Sequence, residues 1–285
     1  MKNIILFATA LLLFTACEEV VTDQINIADT EALLVIEGGI ERSRTNLNAP
    51  QQVRLTTTTN FLDNSPPPVV DNAEVIISDT ERSYVLTYTG DGVYSTDELV
   101  PQLGTSYELE IIWEGKHYYA KDQLNEVPLI DSIYSEFEPE TGITDEGYFV
   151  KINSADPAGV ANFYHYRVYR NGELINLPDP GNARTLIVDD EFFDGQYRTG
   201  INPNEEVVFE PGDRAEVEQI GISESYYQFL FEIYEITGNQ GIPFAGNPPP
   251  ASIRGNVLSA EPENYKALGY FYTVDIDQRS VTVSE

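Results

Sequence analysis

Phe163-Tyr164-His165-Tyr166-Arg167-Val168-Tyr169-Arg170, followed at once by Asn171-Gly172, carries the clearest β signature in the chain. Tyr164, Tyr166 and Val168 alternate with Phe163, His165, Arg167 and Tyr169, so an extended chain presents two different faces with a period of two. Aromatic and β-branched side chains pack well on a pleated surface, and Asn-Gly accepts the positive φ that a type I′ turn requires. The segment reads as a strand closing into a tight hairpin. Comparable runs precede it at Ala32 to Ile36, Val53 to Thr59, Val75 to Ser78, Tyr84 to Tyr88, Tyr107 to Trp113 and His117 to Ala120. Between them, Gly38-Gly39, Ser65-Pro66-Pro67-Pro68, Gly90-Asp91-Gly92 and Glu114-Gly115 are turn material, at roughly the 8–12-residue spacing of a β-sandwich. Glu114-Gly115 in particular reads as a tight hairpin.

After Glu126-Val127-Pro128 the pattern restarts, which places a domain junction there. A chain of 285 residues accommodates two domains at ~100–150 residues each. Further strands are expected at Tyr148 to Ile152, Thr185 to Val188, Val207 to Glu210, Arg214 to Ile220, Tyr270 to Ile276 and Val281 to Val283. One segment departs from period two. Between Ser225 and Glu235 the polar residues fall at 228, 232 and 235, and spacings of four and three mark one face of a helix. Ser225 with Gln228 reads as a capping box and Gly238 as the stop. The expected fold is all-β in the main: two tandem β-sandwich domains, 31–127 and 128–285. The second carries one amphipathic helix near 224–236 that packs Tyr226, Tyr227, Leu230, Phe231 and Tyr234 on a sheet.

Composition narrows the function classes. Lys and Arg number 16 against 47 Asp and Glu, a formal charge of −31, so attraction to phosphate backbones or to anionic lipid is absent and no nucleic-acid partner is expected. One Cys, one Met, one Trp and two His leave little material for disulfides, thiol catalysis or His-rich metal sites.

Residues 1–17, MKNIILFATALLLFTAC, show one Lys, an apolar run from Ile4 to Phe14 and small residues before Cys17, the pattern of a signal peptide at 1–16. The run is shorter than the ~20 residues of a spanning helix, and Glu18-Glu19 follow directly. Leu13-Phe14-Thr15-Ala16-Cys17 resembles a bacterial lipobox, which implies cleavage before Cys17 and acylation of that residue, with 17–30 as a tether. Two or more acyl chains at ~0.8 kcal/mol per buried methylene hold a protein durably on a bilayer. Glu18-Glu19 is similar to the surface-export signals of Bacteroidota lipoproteins.

Among constellations that carry chemistry, Asp189-Asp190-Glu191-Phe192-Phe193-Asp194-Gly195 gathers Asp189, Asp190, Glu191 and Asp194 at a turn, the hard-oxygen set that Ca²⁺ prefers. It is not an EF-hand, because Phe192 stands third from Asp190 and Ile201 takes the place of the bidentate Glu. The plainer alternative is a solvated loop pinned by Phe192 and Phe193. His117 and His165 lack zinc-ligand spacing and read as strand side chains. No G-x-S-x-G elbow, G-x-G-x-x-G or Walker pattern occurs, and calcium is the one cofactor with any support. Two long Pro-rich loops, around Phe61 and Phe244, offer aromatic contacts to a partner or serve only as rigid connections.

Taken in order, several stretches resemble one family: uncharacterised Bacteroidota outer-membrane lipoproteins, a domain of unknown function encoded beside TonB-dependent receptors. They are Cys17; Leu34 to Ile40; Val75 to Asp79; Gly92 to Ser95; Val127 to Ile133; Asp156-Pro157-Ala158-Gly159; Tyr166 to Tyr169; Asp189 to Gly195; Pro211-Gly212-Asp213; Tyr226-Tyr227; Pro243-Phe244-Ala245; and Leu268 to Phe271. The resemblance implies transthyretin-like or immunoglobulin-like sandwiches and an acyl-anchored place on the outer membrane, facing the cell exterior. It also implies a non-catalytic role beside a TonB-dependent barrel receptor, as a substrate-capture or lid subunit. It transfers no catalytic residues. The alternatives are a stand-alone glycan or peptide binder and a carboxylate-based hydrolase, whose paired acids spacing along a chain does not reveal.

Overall fold

The computed structural model describes residues 31–60, 63, 65–140, 146–175, 186–204, 207–238, 253–259 and 266–285. Cys17, Phe61 and Phe244 lie outside the described residues. The chain divides into two compact units, one of residues 1–31 and 60–63, the other of residues 32–59 and 64–285. The architecture is that of the second unit.

Alternating apolar and polar residues produce β1 (Leu34–Ser43), β2 (Gln51–Thr57), β3 (Glu74–Ser78), β4 (Ser83–Gly90), β5 (Val93–Thr96), β6 (Ser106–Trp113) and β7 (Lys116–Gln123). Beyond the junction come β8 (Ile130–Glu138), β9 (Gly147–Ala155), β10 (Phe163–Arg170), β11 (Glu173–Leu174), β12 (Ile187–Asp189), β13 (Tyr197–Ile201) and β14 (Arg214–Ile222). Helix α1 (Glu224–Gly238), β15 (Leu258–Ser259) and β16 (Ala267–Thr282) complete the series. The fold is mainly β, with one helix among the described residues. A thirteen-stranded mixed sheet runs β11-β10-β14-β16-β1-β2-β5-β4-β3-β6-β7-β15, with β12 beside β10. A three-stranded sheet runs β13-β9-β8.

Both central residues of Glu114-Gly115 and of Asn171-Gly172 have positive φ, the signature of type I′ turns, so both expected hairpins close as read. Gly38-Gly39 is different. The pair lies inside β1, where a Cβ on Gly39 would stand 1.8 Å from the Tyr272 carbonyl oxygen. Close strand approach, not a turn, requires glycine there.

The C-terminal segment, expected as two short strands, is the single sixteen-residue β16. Leu34 to Ser43 pair with its first part in parallel, and Arg214 to Gly221 pair with its last part antiparallel. Strand β8 went unread in the sequence because its exposed positions, Asp131, Ser132, Glu136 and Phe137, mask the alternation. The buried apolar residues from Leu34 to Leu124 form one cluster, joined by Phe271 of β16. A second runs from Val127 to Val217 and includes Val283, just beyond the end of β16. In sequence the first two clusters change over between Leu124 and Val127, and the last strand contributes to both.

A third cluster, Ile187, Ile220, Ile222, Leu230, Val274 and Ile276, lies beneath α1. Its cap is Ser223, whose Oγ accepts the Tyr226 amide at 3.2 Å, and not Ser225, whose Oγ accepts the Tyr270 hydroxyl at 2.7 Å. Tyr226 packs on Tyr270 and Tyr272 at 4.9 and 5.0 Å, and Tyr227 on Phe163 at 5.2 Å. Phe231, expected on the buried face, is exposed.

Candidate functional site

The acidic loop after β12 draws in a residue that sequence spacing does not reveal. Asp156, in the turn after β9, meets Asp190 and Asp194, with one carboxylate oxygen from each within 4.8 Å of the others. Asp156 and Asp190 are buried and Asp194 is exposed. Of the four predicted ligands, the structure brings Asp190 and Asp194 together and leaves two out. The Asp189 carboxylate accepts the Tyr227 hydroxyl and the Glu191 amide, both at 3.2 Å, and Glu191 is exposed.

Each of the three converging carboxylates already has work. Asp156 accepts the Tyr164 hydroxyl through Oδ1 and the Gly195 amide at 3.0 Å through Oδ2. Asp190 Oδ2 accepts the Asn162 amide at 2.8 Å, and Asp194 Oδ1 accepts the Gly159 amide at 2.7 Å. The three therefore stitch the turn at 156–162 to the loop at 190–195. Burial, and then the bond to Asp156, push the Tyr164 hydroxyl pKa far up, so it stays a proton donor. The Arg198 guanidinium lies over Tyr164 at 4.7 Å and over Phe193 at 4.1 Å, which holds a positive charge close to the cluster. Phe193 pins the loop, whereas Phe192 is 84% exposed. Oxygens no more than 4.8 Å apart lie within reach of one ion with 2.3–2.6 Å bonds, so these three carboxylates are the residues that could hold a cation as well as cross-link the loop.

A second polar assembly holds the junction. Asp275, fully buried on β16, pairs with Arg42 at 2.7 Å and Arg44 at 2.9 Å and accepts the Val127 amide at 3.0 Å. Arg44 donates to the Val127 carbonyl at 2.7 Å. Gln219 donates to the Pro128 carbonyl at 2.8 Å, and Asp277 accepts the Ile130 amide at 2.8 Å. Backbone groups from Val127 to Ile130 are thus satisfied by side chains of β14 and β16 and by Arg44, just beyond β1. Between Arg44, Glu126 and Leu129 on one side and Pro157 and Val160 on the other lies a cavity of about 420 Å³.

A sequence profile described as Domain of unknown function (DUF4249) matches residues 19–280. The chain belongs to the DUF4249 family. No curated protein matches it. In this DUF4249 chain the two histidines have separate surroundings. His165 is half-buried, opposite Ile187 and Ile220 on the face that α1 covers, and burial with Arg167 nearby pushes its pKa down to about 3. Arg167 pairs with Glu218 at 2.7 Å and Glu41 at 3.3 Å, and Tyr272 donates to Glu41 at 3.2 Å. His117 lies instead on the outer face of β7, where Glu110 meets it at 3.3 Å.

Buried Asp122 on β7 accepts the Thr273 amide of β16 at 2.8 Å. Desolvation raises its pKa from the ordinary carboxylate value, against the pull of donors that include Ser223 and Thr273. The sequence holds no signal for Asp122, Asp156 or Asp275 as members of these assemblies, because every partner that defines them is distant along the chain.

Proposed function

We propose that this DUF4249 chain is an outer-membrane lipoprotein, acylated at Cys17 and facing the cell exterior. There it acts as a non-catalytic substrate-capture or lid subunit of a TonB-dependent transporter. The observation that carries the reading is the lipobox-like Leu13-Phe14-Thr15-Ala16-Cys17 in a chain with a formal charge of −31, because charge of that sign gives no electrostatic hold on an anionic membrane and leaves attachment to acyl chains. Tethering raises the local concentration near a barrel in the same membrane, so a weak contact suffices. The clamped segment from Val127 to Ile130 supports the reading mechanically, since a lid or capture arm transmits force through a junction that does not swing freely.

The test is a gentle detergent pull-down of the full lipidated chain from its native outer membrane, with mass spectrometry of what stays bound. Stoichiometric recovery of a TonB-dependent barrel is the expected result. Recovery of the lipoprotein alone after cross-linking overturns the transporter assignment. Cys17→Ala is expected to release the chain from the outer-membrane fraction, and undiminished retention overturns the anchor.

A further inference from the structure

The register of β6 with β7 sets Glu110 opposite Tyr119, Ile112 opposite His117 and Glu108 opposite Lys121. Strand alternation sends all six to the outer face, while Tyr107, Leu109, Ile111, Tyr118 and Ala120 are buried in the core behind. Tyr119 and His117 both lean across β6 to one acceptor. The Tyr119 hydroxyl donates to Glu110 Oε1 at 3.0 Å, and His117 Nδ1 stands 3.3 Å from the same oxygen. That shared anchor holds the two rings 6.4 Å apart and within 24° of parallel. Tyr119 is 39% exposed, and Leu258 of β15, its register partner on the other side, is 71% exposed. Tyr119, Leu258, Lys121, Glu108 and Asn256 line a cavity of about 420 Å³.

We infer that this face is a saccharide-binding platform, with Tyr119 and His117 as the stacking surface. The inference deepens the capture reading above, on which it rests, by naming the substrate class. A pyranose has a face of C–H groups that packs on a flat aromatic ring, and rings already fixed by Glu110 lose little freedom when covered. Beside them, Lys121 and Glu108 form an exposed ion pair at 2.8 Å, whose remaining N–H donors and second carboxylate oxygen are open to neighbouring hydroxyls that each donate and accept. The cavity sets the apolar surfaces of Tyr119 and Leu258 beside a few polar groups, the combination small-ligand sites use. A cationic side chain fits less well, because the Lys121 ammonium lines the cavity and already pairs with Glu108. A nucleotide is opposed by the overall charge.

The experiment passes the full chain in detergent over immobilised malto-, cello-, xylo- and mannohexaose, with a Lys-rich peptide as the competing probe. Wild type is expected to retain at least one hexaose, with affinity falling tenfold or more in Tyr119→Ala at an unchanged unfolding midpoint. Tyr119→Phe, which keeps the ring, is expected to lose less, and Leu258→Ser provides a second variant remote from the Glu110 anchor. Retention of no hexaose by wild type, equal retention by Tyr119→Ala, or displacement of the sugar preference by the peptide overturns the platform. Recovery of a barrel in the pull-down without hexaose binding overturns the platform alone, whereas hexaose binding without a barrel overturns only the transporter assignment.

Discussion

Asp275 accepts the backbone amide of Val127 at 3.0 Å, joining the middle of strand β16 to the segment that leads into β8. Its carboxylate is fully buried and meets Arg42 and Arg44 on separate oxygens. A buried charge persists only when its partners replace the water it has lost, and here two guanidinium groups and one amide do so.

Removing that carboxylate strands two arginines and an amide. Asp275→Ala is expected to destabilise the fold by about 3–5 kcal/mol, the cost of breaking a buried pair from one side. Asp275→Asn, which keeps an acceptor for Val127 without the charge, is expected to lose less. Urea unfolding of both variants checks the order, and equal stability of Asp275→Ala and wild type would rule out a clamp at the junction.

His165 sets an acid limit. Its folded pKa of about 3 lies below the ordinary value near 6.5, so the unfolded chain binds the proton first. The stabilising preference for neutral His165 is complete above pH ~6.5 and is lost as pH falls from there towards about 3. Because part of the ring remains accessible, the loss is expected to be about 2–3 kcal/mol and not the full shift. His165→Leu is expected to flatten the wild-type stability profile across that window, and chemical denaturation at a series of pH values reads it.

Gly39 tests the parallel pairing of β1 with β16. A Cβ there meets the Tyr272 carbonyl oxygen at 1.8 Å, which neither strand relieves without breaking register. Gly39→Ala is expected to cost about 2–4 kcal/mol, with Phe271 and Tyr272 displaced. Thermal unfolding together with hydrogen exchange along β16 measures both effects, and an unperturbed β16 would contradict the register.

Asp156 reports on the acidic loop. Asp156→Ala removes acceptors from the Tyr164 hydroxyl and the Gly195 amide and is expected to cost about 2–3 kcal/mol. A calcium titration of wild type then separates cross-linking from cation binding. A rise in unfolding midpoint that Asp190→Asn abolishes assigns the ion to the triad, and an unchanged midpoint assigns the carboxylates to the loop alone.

Much of the architecture was legible along the chain. Period-two alternation marked β10, and Asn171-Gly172 marked its turn, because both signals are local properties of backbone and side chain. The helix was equally local, apart from the one-turn detail that Ser223 and not Ser225 supplies the cap. Strand β8 was hidden by its exposed polar residues, and Gly38-Gly39 read as a turn because glycine is required both by positive φ and by close approach. Two of the three members of the acidic site, Asp190 and Asp194, were visible, and the third, Asp156, was not.

Charge, alternation and helical spacing are written in consecutive residues, and from them follows a strongly acidic, mainly β chain with one amphipathic helix. Folding in space is what lets β16 serve two cores, brings Asp156 to the acidic loop and sets Asp275 on Val127. It also sets Tyr119 and His117 on the single carboxylate of Glu110. The reason is physical: a buried carboxylate takes its donors from whatever backbone folding brings beside it, and a strand's partners follow from register across space rather than from neighbours along the chain.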